Sequence, residues 1–228
     1  MNTLQHSTDT IGVLGGLGPD TTAHFYLDLI KAGTRKARPP VCIWSLPLDL
    51  KKEAEYIQTG KHQGHYLQLL REGAQALQRA GSKKIVIPCN TVHEFHAQLS
   101  QETSVSITHL PTIVAEEAKR RGWKKVFLLA TSRTIHTRIH EEALGAAGID
   151  IAIPEKRDQA KLDILIQGIL GNQTSQEHQQ FLERIIQESD VGNIILGCTD
   201  LQLLFPPSDS VIDSMQELVR HTAQHITS

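Results

Sequence analysis

Short runs of aliphatic and β-branched residues alternate along the chain with longer segments in which apolar residues recur at every third or fourth position. The short runs predict buried strands, and the longer segments predict amphipathic helices. The predicted strands are Ile11–Leu14, Val41–Trp44, Ile85–Ile87, Val126–Leu129, Ile149–Ile153, Ile194–Leu196 and Val211–Ile212. Strands that alternate with helices in this way are typical of an α/β fold with mostly parallel sheets.

Several helical segments end at residues that favour helix termini. Glycine at positions 81, 122 and 148 directly follows three of them, at the position where glycine most often ends a helix. The predicted helices are about Asp20–Ala32, Gly64–Ala80, Pro111–Arg121, Ile135–Ala147, Gln159–Leu170, Gln176–Glu188 and Met215–Ile226. Because ligands of such folds bind at the carboxyl ends of the strands, polar residues just after a predicted strand are candidates for function.

Two segments of the chain, residues 83–91 and 191–199, resemble each other. Each contains an apolar strand, a small or rigid residue, a cysteine (Cys89 or Cys198) and, soon after it, a threonine. About half of the chain separates the two cysteines. This near-repeat predicts two similar α/β halves, each with one cysteine at the end of a strand.

The chain of 228 residues is long enough for two small domains, because domains usually contain about 100–150 residues. We predict a first domain at residues 1–111, which carries the first cysteine of the near-repeat, and a second at residues 112–210, which carries the other. We expect the last helix, within residues 211–228, to pack back on the first domain.

The composition excludes several classes of partner. A hydrophobic fraction of 39% and a charged fraction of 21% are typical of a globular protein with a real core, and the net charge of −2 gives no basic surplus for nucleic acid. The first ten residues are polar and no apolar run reaches the roughly 18 residues of a membrane helix, so we expect a cytoplasmic protein without a signal peptide. In that compartment the three cysteines are expected to be thiols.

A pair of cysteines at strand ends fits one reaction in particular. Inversion of a carbon centre needs a base on one face and an acid on the other, and a thiolate and a thiol can serve as the two groups. Free main-chain N–H groups and hydroxyls next to each cysteine can stabilise the carbanion at the substrate carboxylate. A single buried cysteine is often only a small apolar residue, and we expect this of Cys42, inside a strand beside Trp44.

Four segments give the chain a family resemblance. They are residues 15–19 (Gly-Gly-Leu-Gly-Pro), 88–93 (Pro-Cys-Asn-Thr-Val-His), 128–134 (Leu-Leu-Ala-Thr-Ser-Arg-Thr) and 196–200 (Leu-Gly-Cys-Thr-Asp). Together they resemble the signatures of the aspartate/glutamate racemase family, and the resemblance extends over nearly the whole chain. The paired cysteine segments in this order are specific, whereas the glycine turn alone would be a weak signal.

The resemblance implies both the architecture and the chemistry. It implies two similar three-layer domains related by a pseudo-two-fold axis, with the active site in the cleft between them, and it implies a homodimer. It further implies racemisation of an amino acid by Cys89 and Cys198 without a cofactor. The residues expected to contact the substrate are Leu17, Asn90, Thr91, Thr131, Lys161 and Thr199, with Lys161 placed to bind a substrate carboxylate.

Two departures from the family pattern bear on the substrate. Residues 45–52 contain no arginine, although some aspartate racemases have one in this loop for the side-chain carboxylate, and Asp200 stands where glutamate is frequent. We expect aspartate or glutamate as the substrate. The alternatives are a racemase of broader or neutral specificity, a decarboxylase or isomerase that uses the cysteines differently, and a solute-binding or regulatory protein on the same scaffold.

Two other kinds of site are not expected. The turn at residues 15–19 lacks the Lys-Ser/Thr pair of a phosphate-binding loop, which argues against a nucleotide site. Three histidine pairs have helical spacing, but none has a third ligand at a matching position, so we expect no metal. These pairs are His62/His65, His93/His96 and His136/His140, of which His93 is notable for its place four residues after Cys89.

Overall fold

The computed structural model describes residues 9–32, 38–171, 173, 175–205 and 208–227. Their strands form two four-stranded parallel sheets. The first sheet has the order β2-β1-β3-β4, and its strands are β1 (Thr10–Gly15), β2 (Val41–Ser45), β3 (Ser82–Val86) and β4 (Ser106–Ile107). The second has the order β6-β5-β7-β8, and its strands are β5 (Lys125–Leu129), β6 (Asp150–Ala152), β7 (Ile194–Leu196) and β8 (Val211–Asp213). The two orders are equivalent, which confirms the predicted α/β fold with two similar halves.

Helices connect and flank the strands. They are α1 (Pro19–Ala32), α2 (Leu50–Thr59), α3 (Gln63–Arg79), α4 (His96–Glu102), α5 (Leu110–Arg120), α6 (Ser132–His136), α7 (Ile139–Ala146), α8 (Lys156–Leu170), α9 (Gln176–Glu188) and α10 (Ser214–Thr227). Two short 3-10 helices, Thr91–Phe95 and Thr199–Leu203, follow the two cysteines of the near-repeat. In the part of the chain that the structure describes, no helix is long and apolar enough to cross a membrane.

The strand residues alternate between two hydrophobic clusters. In β5, Val126 and Leu128 belong to one cluster, and Phe127 and Leu129 belong to the other. The first of these clusters also contains residues of α1, α5, α7 and α10 and of strands from both sheets, so these helices pack in the middle of the molecule. The second cluster contains the apolar faces of α3, α8 and α9. Both faces of each sheet are therefore covered, as parallel sheets require.

The last helix joins the two halves. Helix α10 packs against α1, which follows the first strand, and against α5, which connects the two sheets. Glu117 of α5 is buried and accepts hydrogen bonds from Arg120, Arg121 and Arg220, the last of which lies on α10. The predicted boundary at residue 111 falls inside α5, and the division into two domains stays a prediction.

Four elements differ from the sequence-based expectation, and one of them is α4, for which no helix was predicted. Strand β4 is only two residues long, too short for a periodicity to indicate it. Helix α2 begins inside the segment interpreted as a loop, where Asp49 caps it by accepting a hydrogen bond of 3.0 Å from the main-chain N–H of Lys52. The helix expected at 135–147 is two short helices, separated at Arg138, which has a φ of 59°.

Candidate active site

The two cysteines of the near-repeat lie just beyond the carboxyl ends of equivalent strands. Cys89 follows β3, is half-buried, and its main-chain N–H bonds the carbonyl of Ile87 at 2.9 Å. Cys198 follows β7, is buried, and directly precedes its 3-10 helix. Both are free thiols. Since β3 and β7 occupy the same place in their sheets, the near-repeat of the sequence is also a repeat of position.

Hydroxyl groups connect the two strand ends. The Thr199 hydroxyl, next to Cys198, donates to the carbonyl of Pro88, next to the other cysteine, at 3.3 Å. The Thr91 hydroxyl lies 3.2 Å from that of Thr131 and 3.0 Å from that of Thr134. Thr131 and Thr134 follow β5, in the second half of the chain. The fold thus brings Thr91 and Thr131, predicted substrate contacts in separate halves of the chain, into one polar cluster.

Asn90 anchors the segment that carries the first cysteine. It is 1% exposed, its amide nitrogen donates to the Ser214 hydroxyl at 2.9 Å, and its amide oxygen lies 2.9 Å from Nε2 of His140. Both polar groups of the side chain are therefore engaged with α10 and α7. Its predicted contact with the substrate stays a prediction, and a positioning role accounts for the bonds that it makes.

Asp200 is the carboxyl group nearest to the second cysteine in sequence. Its Oδ2 accepts a hydrogen bond of 3.7 Å from the Cys198 thiol, and its Oδ1 accepts one from the Thr21 hydroxyl at the start of α1. Burial raises the pKa of this carboxyl group. The sequence analysis noted Asp200 only as a departure from the family pattern. Its position two residues after a cysteine was the signal that could have indicated its contact with the thiol.

The glycine turn brings the start of α1 to this carboxyl group. Gly16 and Gly18 have φ values of 87° and 86°, a conformation that side chains rarely adopt. A Cβ on Gly18 would lie 3.1 Å from Asp200 Oδ1, so the close approach also requires glycine. The Gly16 N–H donates to the Thr22 hydroxyl at 2.9 Å, and Leu17 is buried in the core.

Lys161 lies on α8 and is exposed to solvent. Within the described ranges its ammonium group has no ion pair within 4.0 Å and no hydrogen bond. Asp163, two residues later, is instead buried and accepts hydrogen bonds from the main-chain N–H and the hydroxyl of Ser132, at 2.8 and 2.5 Å. The structure does not bring Lys161 into contact with the cysteines, and its role toward a substrate carboxylate stays a prediction.

Glu53 is a residue of this region that the sequence analysis missed. It lies on α2 and is 6% exposed, and its carboxyl group has no hydrogen-bond donor or cationic partner among the described residues. Burial, and then the negative charge of Asp200, raise the pKa of Glu53 to about 7. The Glu53 charge in turn acts on Cys89 and on Tyr66, so these groups lie close together.

Burial dominates the acidity of both thiols. It raises the pKa of Cys89 to about 12; the charges of Asp200 and Glu53 add to this effect, and main-chain N–H groups of Val92 and Thr91 oppose it. Burial also raises the pKa of Cys198 well above its usual value, and the charge of Asp200 contributes further. Burial therefore favours the thiol form of both cysteines, and a positive charge nearby would favour the thiolate.

The histidines do not form a metal site among the described residues, where no group of three or more His, Cys, Asp or Glu side chains has a suitable arrangement. His93, His96 and His109 do lie together, with ring centroids 4.5 to 6.2 Å apart. Burial lowers the pKa of His93 well below its usual value and that of His109 to about 4. His93 and His109 are thus neutral at physiological pH, and Nε2 of His93 lies 3.3 Å from the carbonyl of Ile87, two residues before Cys89.

Several known proteins are similar to this chain in sequence or in fold. The chain is 26% identical over 227 residues to the broad-specificity amino-acid racemase RacX of Bacillus subtilis (strain 168), which covers 93% of this chain and 96% of that relative. The fold is similar to that of an aspartate racemase homologue from Pyrococcus horikoshii OT3, with a TM-score of 0.77, 24% identity and coverage of 96% and 100% of the two chains. It is also similar to Picrophilus torridus aspartate racemase, with a TM-score of 0.79, 21% identity and coverage of 96% and 94%.

The family model described as Asp/Glu/Hydantoin racemase matches residues 14–222, which include both cysteine segments and the glycine turn. Two equivalent sheets, one cysteine at the end of each, and a match over nearly the whole chain lead to the same conclusion. The chain belongs to the Asp/Glu/hydantoin racemase family.

Proposed function

We propose that this protein racemises an amino acid without a cofactor, with Cys89 and Cys198 as the two acid/base groups. The observation that carries the proposal is the pair of free thiols at the ends of equivalent strands, with the Thr199–Pro88 hydrogen bond between the two segments. The charge of Cys89 contributes to the raised pKa of Cys198, which supports a common site for the two thiols. A base and an acid on opposite sides of one carbon are what inversion requires.

The reaction proceeds by transfer of two protons. In one direction the Cys89 thiolate takes the α-proton, and the electrons of the broken C–H bond move into the substrate carboxylate. The Cys198 thiol then gives its proton to the opposite face of the carbon and becomes a thiolate. The reverse direction exchanges the two roles, and exchange with solvent restores the starting protonation of the enzyme.

Substrate binding supplies the charge that makes a thiolate accessible. The α-ammonium group, placed near Asp200 between the thiols, lowers their pKa because an opposite charge favours the ionised form. The hydroxyls of Thr91, Thr131 and Thr199, together with the turn around Leu17, are the groups we assign to the α-carboxylate. A cytoplasmic homodimer and an acidic substrate remain predictions of the sequence, and the name of the Bacillus subtilis relative supports a wider range of amino acids.

The test is a chiral assay of L- and D-amino acids with protein freed of pyridoxal phosphate and metal. We expect racemisation, and entry of solvent deuterium at the α-carbon. Cys89→Ser and Cys198→Ser should each lower racemisation by at least about a hundredfold, because a serine hydroxyl is too weakly acidic to supply the anionic base. Each variant should still exchange deuterium into the enantiomer that faces its remaining thiol, and the double variant should exchange into neither.

The third cysteine provides a matched control. Cys42 is half-buried in β2, so Cys42→Ser makes the same chemical change away from the reacting groups and should retain wild-type racemisation. Circular dichroism verifies that each variant is folded. Near wild-type racemisation by either folded single variant, Cys89→Ser or Cys198→Ser, would refute the two-base mechanism, and release of carbon dioxide in place of racemisation would identify a decarboxylase.

A further inference from the structure

The Glu53 carboxyl group and the Tyr66 hydroxyl, which we call the acidic subsite, are both on buried residues of the half of the chain that carries Cys89. We propose that this subsite binds a cationic side chain, so that the preferred substrate is an amino acid with an ammonium or guanidinium group at the end of its side chain. The inference rests on the proposed function and names the substrate class. It is opposite to the acidic substrate that the resemblance implies.

The first observation is the isolation of the Glu53 carboxyl group. The residue is 6% exposed, and no described residue donates a hydrogen bond or offers a cation to its carboxyl group. Buried charged groups are normally paired or fully hydrogen-bonded, because an unpaired one is costly to remove from water. A carboxyl group retained in this state is accounted for if its partner arrives with a ligand.

The second observation is independent and concerns Tyr66. The residue is 1% exposed and stacks on Tyr56 with ring centroids 4.0 Å apart, yet its hydroxyl has no hydrogen-bond partner among the described residues. The charges of Glu53 and Cys89 both raise the pKa of this hydroxyl, so it lies within electrostatic reach of both groups. A tyrosine hydroxyl can accept a hydrogen bond from an ammonium group and donate one to a carboxylate. Two unpartnered polar groups thus face the same space.

The third observation is the sign of the surrounding charge. The charges that raise the pKa of Cys89 are those of Asp200 and Glu53, and no cation is among its main influences. The nearby guanidinium of Arg133 is 12% exposed and is already bound to Glu94 through two nitrogens, one at 3.0 Å. A second negative charge on the substrate would meet only like charges here, whereas a second positive charge would balance them.

The positions of the two carboxyl groups assign their separate roles. Asp200 acts on both thiols and accepts a hydrogen bond from Cys198, so it lies near the line of proton transfer, where the α-ammonium group belongs. Glu53 acts on Cys89 and is not among the main influences on Cys198. We therefore assign Asp200 to the α-ammonium group and Glu53 to the substrate side chain.

Lysine, norleucine and glutamate provide a matched set of substrates. Norleucine has the aliphatic chain of lysine without the ammonium group. We expect kcat/KM for lysine to exceed that for norleucine by roughly ten- to a hundredfold, the value of one charge-assisted hydrogen bond, and to exceed that for glutamate by more. Glu53→Gln should remove this preference by lowering kcat/KM for lysine by the same factor while norleucine changes by less than about threefold.

Glu55→Gln is the control variant. Glu55 lies on the same helix, makes an ion pair with His62 at 2.9 Å and is partly exposed, so its substitution makes the same charge change outside the subsite. It should leave all three substrates unaffected. If Glu53→Gln lowered kcat/KM equally for lysine and norleucine, Glu53 would bind the α-ammonium group. If the wild type preferred glutamate, the subsite would not select a cationic side chain. Either result overturns the inference and leaves the racemase proposal standing.

A binding measurement keeps the two proposals separable if no turnover is seen. In the Cys89→Ser, Cys198→Ser double variant, lysine should raise the thermal unfolding midpoint, whereas glutamate and norleucine at the same concentration should raise it much less. Adding Glu53→Gln should remove the lysine effect. Stabilisation by lysine without racemisation by the wild type would retain the subsite and reject the racemase; racemisation without lysine stabilisation would do the reverse.

Discussion

The two cysteine segments occupy equivalent places in the fold but differ in what surrounds them. Cys89 is followed by Asn90, a neutral anchor, and two main-chain N–H groups lower the pKa of its thiol, whereas one does so for Cys198. Cys198 is followed by Thr199 and Asp200, and its thiol donates to the Asp200 carboxyl group. Two equivalent backbone segments can therefore surround their cysteines with different charges. We infer that Cys89 is the thiol that ionises more readily, and the predictions below test this difference.

The largest expected effect concerns stability and the residues that directly follow the cysteines. Asn90→Leu and Thr199→Val are matched apolar replacements of similar shape. Asn90→Leu leaves the Ser214 hydroxyl and a His140 nitrogen buried without partners, and should lower the free energy of unfolding by about 2–4 kcal/mol. Thr199→Val breaks one hydrogen bond of 3.3 Å and should cost about 1 kcal/mol.

Urea unfolding monitored by circular dichroism measures both values. Thr10→Val, at the start of β1, serves as the control: within the described residues the Thr10 hydroxyl makes no hydrogen bond, so stability should change by less than about 0.5 kcal/mol. Equal losses of stability in Asn90→Leu and Thr199→Val would contradict the prediction that Asn90 anchors its segment more strongly than Thr199 does.

The next effect concerns the reactivity of the thiols. Asp200→Asn removes a charge that raises the pKa of both cysteines and that also accepts the Cys198 hydrogen bond. The thiolate fraction at a fixed pH should rise at both sites, with Cys198 alkylated about tenfold faster and Cys89 by a smaller factor. Glu53→Gln should accelerate Cys89 more than Cys198.

Alkylation with a small haloacetamide, quantified by mass spectrometry of the peptides, reports each cysteine separately. Cys42, a free thiol in β2, is the internal reference. If Asp200→Asn accelerated Cys89 more than Cys198, the assignment of Asp200 to the second cysteine would be wrong.

One part of the site could be predicted from the sequence and the other could not. The strands and the cysteine pair were predictable, because burial on both faces produces runs such as Val126–Leu129 and because cysteine at a strand end is a local signal. Glu53 was not predictable in this way. Its segment reads Leu-Lys-Lys-Glu-Ala-Glu, which locally indicates a solvated loop or helix surface, and its burial results from the packing of α2 against α6 in the second half.

The substrate subsite gives a pH dependence of known sign. The pKa of Glu53 is raised to about 7, so the carboxyl group is neutral below that pH and anionic above it. The apparent KM for lysine should therefore rise by about tenfold for each pH unit below 7 and become constant above it. The ratio of the lysine and norleucine kcat/KM values isolates this titration, because ionisation of the thiols affects both substrates alike. A ratio that is constant from pH 5 to 8, about the range in which such a carboxyl group titrates, would contradict the assignment.

The smallest expected effect concerns Lys161, the second-half residue that the resemblance places at a substrate carboxylate. If it binds an acidic side chain, Lys161→Ala should lower kcat/KM for glutamate by roughly ten- to a hundredfold. Because Lys161 is exposed on α8, we expect a smaller loss for glutamate than this. A solvated ammonium group contributes at most about 1 kcal/mol to an interaction. We expect a change of less than about threefold for lysine and norleucine. Lys161→Ala and Glu53→Gln, measured with the same three substrates, show which half of the molecule selects the substrate side chain. A large loss for glutamate alone in Lys161→Ala would assign this selection to the second half. A loss for lysine that occurs only in Glu53→Gln would assign it to the first half.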